Sequence, residues 1–178
     1  MRMRKFVLFV FVLIILLSSP LKLSASVDVA RISGSNRDET AVEISKAGWD
    51  KSSTVILTRG DNFPDALAGT PLAHHYGAPI LLTTPNQLPT STRNEIERLD
   101  ATNIVLLGGI SAISEAIEND LIQSGYNVSR ISGKNRYETA ALIAAQLPPS
   151  DTAVIVYGSN FPDALAVGPY AAINGYPI

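Results

Sequence analysis

Cysteine is absent from all 178 residues. Small secreted domains are commonly stapled by disulfides, so this chain must take its stability from a packed core alone. Histidine occurs only at His74 and His75. Neighbours on a helix point in different directions, whereas helical zinc ligands stand four apart with a glutamate between them. The matching positions of a later, related segment are Ala172 and Ile173, so a metal role is not expected. There is no Gly-x-Ser-x-Gly elbow and no Ser-x-x-Lys cluster, which leaves hydrolysis without a candidate nucleophile. Leu106-Leu107-Gly108-Gly109 lacks the Gly-Lys-Ser/Thr ending of a phosphate loop and the spacing of a dinucleotide fingerprint. It reads as a tight turn, and no cofactor is expected.

What the sequence does contain begins with an unusual N-terminus. Arg2, Arg4 and Lys5 precede an unbroken apolar run of twelve residues, Phe6 to Leu17. Ser18-Ser19-Pro20 breaks the run, and Ser24, Ala25 and Ser26 follow. A basic start, a short apolar middle and a small-residue exit are the parts of a secretory signal peptide. The run is short of the ~20 residues that span a bilayer, and no cysteine at its exit offers a lipid anchor. Residues 1–25 are therefore expected to be a signal peptide, with no membrane association after cleavage; an uncleaved signal anchor is the alternative reading. The remainder keeps 10 of the 14 basic residues and all 16 acidic ones, a net charge of −6. Such a balance argues against a general nucleic-acid binder, while the apolar content is that of a globular protein.

The central observation is an internal repeat. Arg31-Ile32-Ser33-Gly34-Ser35-Asn36-Arg37-Asp38-Glu39-Thr40-Ala41 recurs as Arg130-Ile131-Ser132-Gly133-Lys134-Asn135-Arg136-Tyr137-Glu138-Thr139-Ala140, with nine of eleven positions identical at an offset of 99. Asn62-Phe63-Pro64-Asp65-Ala66-Leu67-Ala68 recurs unchanged at 160–166, and Gly77, Pro79 and Ile80 match Gly175, Pro177 and Ile178, both at an offset of 98. The expected organisation is a first repeat at 26–129 and a second at 130–178. The second copy stops in the middle of an apolar strand, as in a fragment or a truncated reading frame, because an exposed half-built strand invites aggregation.

Each repeat alternates strand and helix signals. Val55–Thr58, Ala78–Thr83 and Asn103–Leu107 read as strands. A helix capped by Asp61 or Asn62, with Pro64 in its first turn, is expected to end at Gly77. A second, capped by Thr90 or Ser91, runs to about Leu99, and a third spans Ser114–Ser124. Continuous apolar strands indicate burial on both faces, hence an α/β fold with a parallel sheet covered by helices. Polar or glycine-rich residues follow the strands: Ser33-Gly34, Arg59 to Asn62, Thr83 to Asn86 and Gly108-Gly109. In open α/β sheets these carboxyl ends line the ligand crevice.

Five of the ten basic residues beyond position 25 lie in the first repeated block: Arg31, Arg37, Arg130, Lys134 and Arg136. Arginine forks suit phosphate or carboxylate oxygens, so an acidic polymer is one partner for them. The structural alternative is that each arginine pairs with a repeat carboxylate such as Glu39 or Asp65. In the second block Asn62 caps, Pro64 fits the first turn, and Asp65 sits at the positive end of the helix dipole. Phe63 is either a core plug or a platform for a sugar. Asp65 and Asp163 lie in different repeats and have no identified partner, so they are not read as a catalytic pair.

Together with the signal peptide, the Arg-Ile-Ser-Gly-x-Asn-Arg block, the Asn-Phe-Pro-Asp-Ala-Leu-Ala block, the Pro79-Ile80-Leu81-Leu82 segment and Val105-Leu106-Leu107-Gly108-Gly109 resemble the cell wall binding repeat 2 family over residues 31–178. The resemblance implies an exported protein of Gram-positive bacteria, an exterior that the lack of cysteine suits. It implies tandem Toprim-like or flavodoxin-like α/β repeats that pack with further repeats, the second truncated here. It implies non-covalent attachment to the wall by recognition of an anionic secondary wall polymer or a peptidoglycan-associated glycan. The polymer segment it implies is Pro79, Ile80, Leu81 and Leu82, of which Pro177 and Ile178 remain in the second repeat. Since apolar side chains cannot grip a charged polymer, they are expected to position the polar loop from Thr83 to Asn86. Two alternatives stand beside this reading. One is the targeting part of an N-acetylmuramoyl-L-alanine amidase whose catalytic domain lies elsewhere, and the other is a soluble α/β domain for a small ligand.

Overall fold

A computed structural model describes residues 29–178, and the expected signal peptide at 1–25 lies outside the described residues. Residues 32–178 form one compact unit. Its elements in chain order are α1 (Arg37–Gly48), β1 (Thr54–Arg59), α2 (Pro64–Ala68), α3 (Thr70–Tyr76), β2 (Ile80–Thr83), α4 (Thr90–Arg98), β3 (Asn103–Leu107), α5 (Glu115–Gln123), β4 (Asn127–Ile131), α6 (Arg136–Ala144) and α7 (Pro162–Asn174). The four strands lie in the order β2-β1-β3-β4, and every pairing is parallel. Among the described residues the fold is therefore α/β, a parallel sheet with seven helices. No described helix is long and apolar enough to cross a membrane.

Alternation along the strands divides the core into two layers. Val55 and Leu57 of β1, Leu81 of β2 and Ile104 and Leu106 of β3 face one side, where they meet Val42 of α1, Ile96 of α4 and Ile117 and Leu121 of α5. Ile56, Val105 and Leu107 face the other, under Ala68 of α2, Leu72 of α3 and Ile143 of α6. Both faces of the central strands are thus covered, which is why they carry no polar alternation. Helices α1 and α6 are copies of one another in sequence, yet they cover opposite faces of the same sheet. The helix of the repeat has two usable faces. Val42 packs inward in α1 while its counterpart Ala141 is exposed, and Ile143 packs inward in α6 while its counterpart Ile44 is exposed.

The first repeated block, for which the sequence left a ligand and a structural reading open, is largely a helix start. Asn36 Oδ1 accepts the Glu39 N–H at 2.9 Å, Glu39 Oε2 accepts the Ser35 N–H at 2.9 Å, and Thr40 Oγ1 accepts the Gly34 N–H at 3.0 Å. The second copy repeats all three through Asn135, Glu138 and Thr139, at 3.0, 2.8 and 3.0 Å. The bonds donated by the Glu39 and Glu138 N–H groups satisfy first-turn donors that a helix leaves unpaired, and the other two in each copy fasten the incoming loop to the helix start. Glycine is needed because a Cβ at Gly34 or Gly133 would collide with Glu39 or Glu138.

Several boundaries differ from expectation. The helix expected from Pro64 to Gly77 is broken at Gly69, whose Cα approaches Leu107 too closely for a Cβ. In the second copy, where Val167 replaces Gly69, it runs unbroken through Pro169. Neither Asn62 nor Asp61 caps α2 by a side-chain bond: Phe63 is the cap residue, and Asn62 Oδ1 accepts the Phe63 N–H next to it at 3.0 Å. Helix α4 starts at Thr90 with Pro89 as its cap residue and no side-chain cap bond, so neither Thr90 nor Ser91 is the cap. Strand β4 straddles the expected repeat boundary at 129/130, so the opening Arg130-Ile131 of the second block completes the first block's sheet through Leu106 and Leu107. In the second copy, the Val154 N–H donates to the Pro177 carbonyl at 2.8 Å, as Ile56 does to Pro79 at 3.0 Å. Its Ile155 is 92% exposed, where the equivalent Leu57 is 0%.

Candidate functional site

The carboxyl ends of β1 and β2 open on a crevice of about 320 Å³ lined by Arg37, Arg59, Asp61, Asn62, Phe63 and Leu82. Arg37 is the first residue of α1, and its Nη1 donates to the Gly60 carbonyl at 2.6 Å. That bond pins the guanidinium to the loop that follows β1. The second copy reproduces it, with Arg136 Nη1 donating to the Gly158 carbonyl at 2.7 Å. Arg59, by contrast, forks onto Asp61 at 2.6 and 2.7 Å. Those hydrogen bonds hold the Asp61 carboxyl below its ordinary range. Among the described residues neither Arg37 nor Arg136 forms a salt bridge.

The sequence-predicted residues separate into groups. Arg37 and Leu82 share the crevice. Arg136 and Ile178 line an adjoining pocket of about 200 Å³, which also contains Phe63. Pro79, Leu81 and Thr83 are buried, and Ile80 is half-buried. Leu81 belongs to the core. The Thr83 hydroxyl donates to the Thr84 and Gln87 carbonyls at 3.0 and 3.1 Å, and the Thr92 hydroxyl donates to the Leu82 carbonyl at 2.8 Å. Apart from Leu82, the apolar segment therefore holds the loop after β2 in place rather than presenting side chains. Pro177 receives the Val154 N–H and is half-buried. Arg130 is committed to the fold: Nε and Nη2 donate to Glu118 at 3.1 and 2.8 Å, and Nη1 to the Gly108 carbonyl at 2.8 Å. Arg31 is exposed. Pairing of these arginines with Glu39 or Asp65 is not found. Glu39 serves its own helix cap, which keeps its pKa low through the Ser35 hydrogen bonds.

Asp65 lies at the switch point between β1 and β3, where the strand order reverses. Its carboxylate sits so close to Gly108 that a Cβ there would be 2.6 Å from Oδ2. Burial pushes its pKa up, and the charges of Arg59 and Arg136 offset only part of that rise. No hydrogen bond from a described residue reaches it.

The second copy changes the chemistry around its arginine. Asp38 becomes Tyr137 and Arg59 becomes Tyr157. Arg136 lies 5.6 Å from the centroid of the Phe63 ring, and Phe63 meets Phe161 edge-to-face at 5.9 Å. Sequence reasoning passed over Tyr137 and Tyr157. The available signal was that the copies differ there, since both replace charged residues with rings.

Known proteins resemble this chain over most of its described length. The family model described as Cell wall binding domain 2 (CWB2) matches residues 31–118 and 130–178. The chain is 40% identical over 150 residues to the N-acetylmuramoyl-L-alanine amidase LytC of Bacillus subtilis, covering 84% of this chain and 30% of that protein. It is 45% identical over 148 residues to the Amidase enhancer of Bacillus subtilis, covering 83% of this chain and 21% of that one. Among solved structures, Cwp8 from Clostridium difficile superposes with a TM-score of 0.81 at 37% identity, covering 86% of this chain and 27% of that one. The chain thus spans less than a third of the length of each of these relatives.

Proposed function

We propose, from the premise that this chain belongs to the Cell wall binding domain 2 (CWB2) family, that it attaches an exported protein to the bacterial wall by binding an anionic wall polymer at the carboxyl ends of its strands. The observation that carries the reading is the duplicated arginine. Arg37 and Arg136 are fixed by the same bond to equivalent glycine carbonyls, at 2.6 and 2.7 Å, and neither forms a salt bridge among the described residues. A guanidinium whose remaining N–H groups stay available suits phosphate or carboxylate oxygens. The net charge of −6 beyond residue 25 makes two such preserved cations more telling, because the rest of the surface repels a polyanion. Arg130 contributes indirectly by tying α5 to β4, and Arg31 remains an exposed candidate. Pro79 to Thr83, with Pro177 and Ile178, act as the frame of the loops.

Wall attachment here is a binding function, and the amidase relative suggests what it serves: this chain acts as the targeting part of a wall-remodelling protein. Residues 1–25 are its export signal. The test is sedimentation with Gram-positive cell walls, intact or chemically stripped of anionic polymer. The chain should pellet with intact walls and remain in solution with stripped ones; equal pelleting with both would overturn polymer recognition.

A further inference from the structure

The two most repeated stretches of the sequence meet across the repeat junction. Arg136 comes from the second copy of the first block and Phe63 from the first copy of the second block, and the guanidinium stands 5.6 Å from that ring. Phe161, the second copy of Phe63, closes on it edge-to-face at 5.9 Å. Tyr137 lies against Gly158, whose carbonyl holds Arg136, so closely that a Cβ on that glycine would strike its ring. Three of the nine aromatic residues after position 28, Phe63, Tyr137 and Tyr157, therefore line one pocket with Arg136, and Phe161 packs on the Phe63 ring beside it. All but Phe63 remain substantially exposed: Tyr137 at 62%, Tyr157 at 65% and Phe161 at 49%.

Resting on the polymer-binding reading above, we propose that this junction is a composite subsite for a single acidic sugar unit, one carrying a phosphate or a carboxylate. The pocket among these groups is about 200 Å³, below the ~300 Å³ at which drug-sized ligand sites begin, so it takes one ring and not a large cofactor. Charge complementarity selects the ligand's sign, because Arg136 has no carboxylate partner among the described salt bridges. The exposed rings offer flat apolar faces to the C–H side of a sugar, and their hydroxyls at Tyr137 and Tyr157 can exchange hydrogen bonds with its hydroxyls. Asn160 lines the same pocket. Its Oδ1 accepts the Phe161 N–H at 2.9 Å, which leaves the amide N–H groups as donors. The first copy has Asp38 and Arg59 in place of these tyrosines, and Arg37 has no cation–ring partner among the described residues. The two arginines, alike in sequence, are thus unlike in chemistry.

That inequality supplies the experiment. The full chain, R37Q, R136Q and R136K are titrated onto the same intact walls at one salt concentration, with circular dichroism melts to establish folding. R136Q is expected to lose about tenfold in affinity, the scale of a charge-assisted hydrogen bond, and R136K to recover little, since an ammonium lacks the fork and stacks poorly. R37Q should lose only about threefold, as an exposed charge does. Equal losses in R37Q and R136Q would overturn the composite subsite while leaving the polymer reading in place. No loss in either would overturn both. A second readout is independent of stability: soluble acidic polymer released from the walls should shift the Phe63 and Tyr157 ring resonances of the wild-type chain, and unmoved rings would reject the subsite.

Discussion

Asp65 has a raised pKa because burial disfavours its charge. For an acid raised in the folded state, stability is full while both states are protonated and declines as pH rises from the unfolded value through the folded one. D65N should therefore melt higher than the wild type at pH 7, with the gap closing as the pH falls below the unfolded value of about 4. A variant that melts lower at neutral pH would show a stabilising partner for the carboxylate. Glu95 behaves oppositely. Its side chain is 1% exposed, and burial pushes its pKa up. The hydrogen bonds and charge of Arg98 more than reverse this and leave it lowered. Its contribution is present at neutral pH and lost as pH falls through the folded value, so acid should loosen the α1–α4 contact first. R98A strands that carboxylate and also removes bonds to the Trp49 and Asp50 carbonyls at 2.8 and 3.0 Å. It should cost about 2–3 kcal/mol in a denaturant titration, at or below the range for a broken buried pair because Arg98 is partly exposed.

At the scale of elements, the repeated caps make a paired prediction. N36A and N135A each remove a side chain that accepts from the first turn of a helix, and each should cost about 1 kcal/mol. Equality between them is the informative outcome, because α1 and α6 lie on opposite faces of one sheet. A much larger cost at one site would show that the block does more there than start a helix. Strands β1 to β3 were legible because apolar runs such as Asn103–Leu107 are bounded by polar turns, and the structure places β3 at those residues; β4, with its polar Asn127, Ser129 and Arg130, was not read as a strand. Helix α1 was not legible. Its block carries two arginines and a glycine, the types expected of a ligand loop, and its inward face offers only Val42 and Ser45 as buried residues. The break at Gly69 was hidden for a different reason: it depends on the approach of Leu107, nearly forty residues away in sequence.

For the molecule as a whole, the repeat offset foretold two like units but not how they share a sheet. Strand β4 hands the opening of the second block to the first block's sheet, and α6 then covers that sheet's second face with Ile143. Such sharing cannot be read from an offset, because it depends on which face of a two-faced helix is taken. The site divided in the same manner. Composition pointed to Arg31, Arg37, Arg130, Lys134 and Arg136 alike, whereas the burial of Leu81 and the commitment of Arg130 to Glu118 required the packing. The central claim is that two preserved guanidiniums read a wall polyanion, and the salt dependence of wall affinity tests it most directly, since screening weakens exposed charge pairs as ionic strength rises. The wild-type chain should bind intact walls progressively more weakly from low to high salt, and the R37Q/R136Q double variant should show a visibly shallower dependence. Salt-independent binding, or identical slopes for the two proteins, would contradict the account.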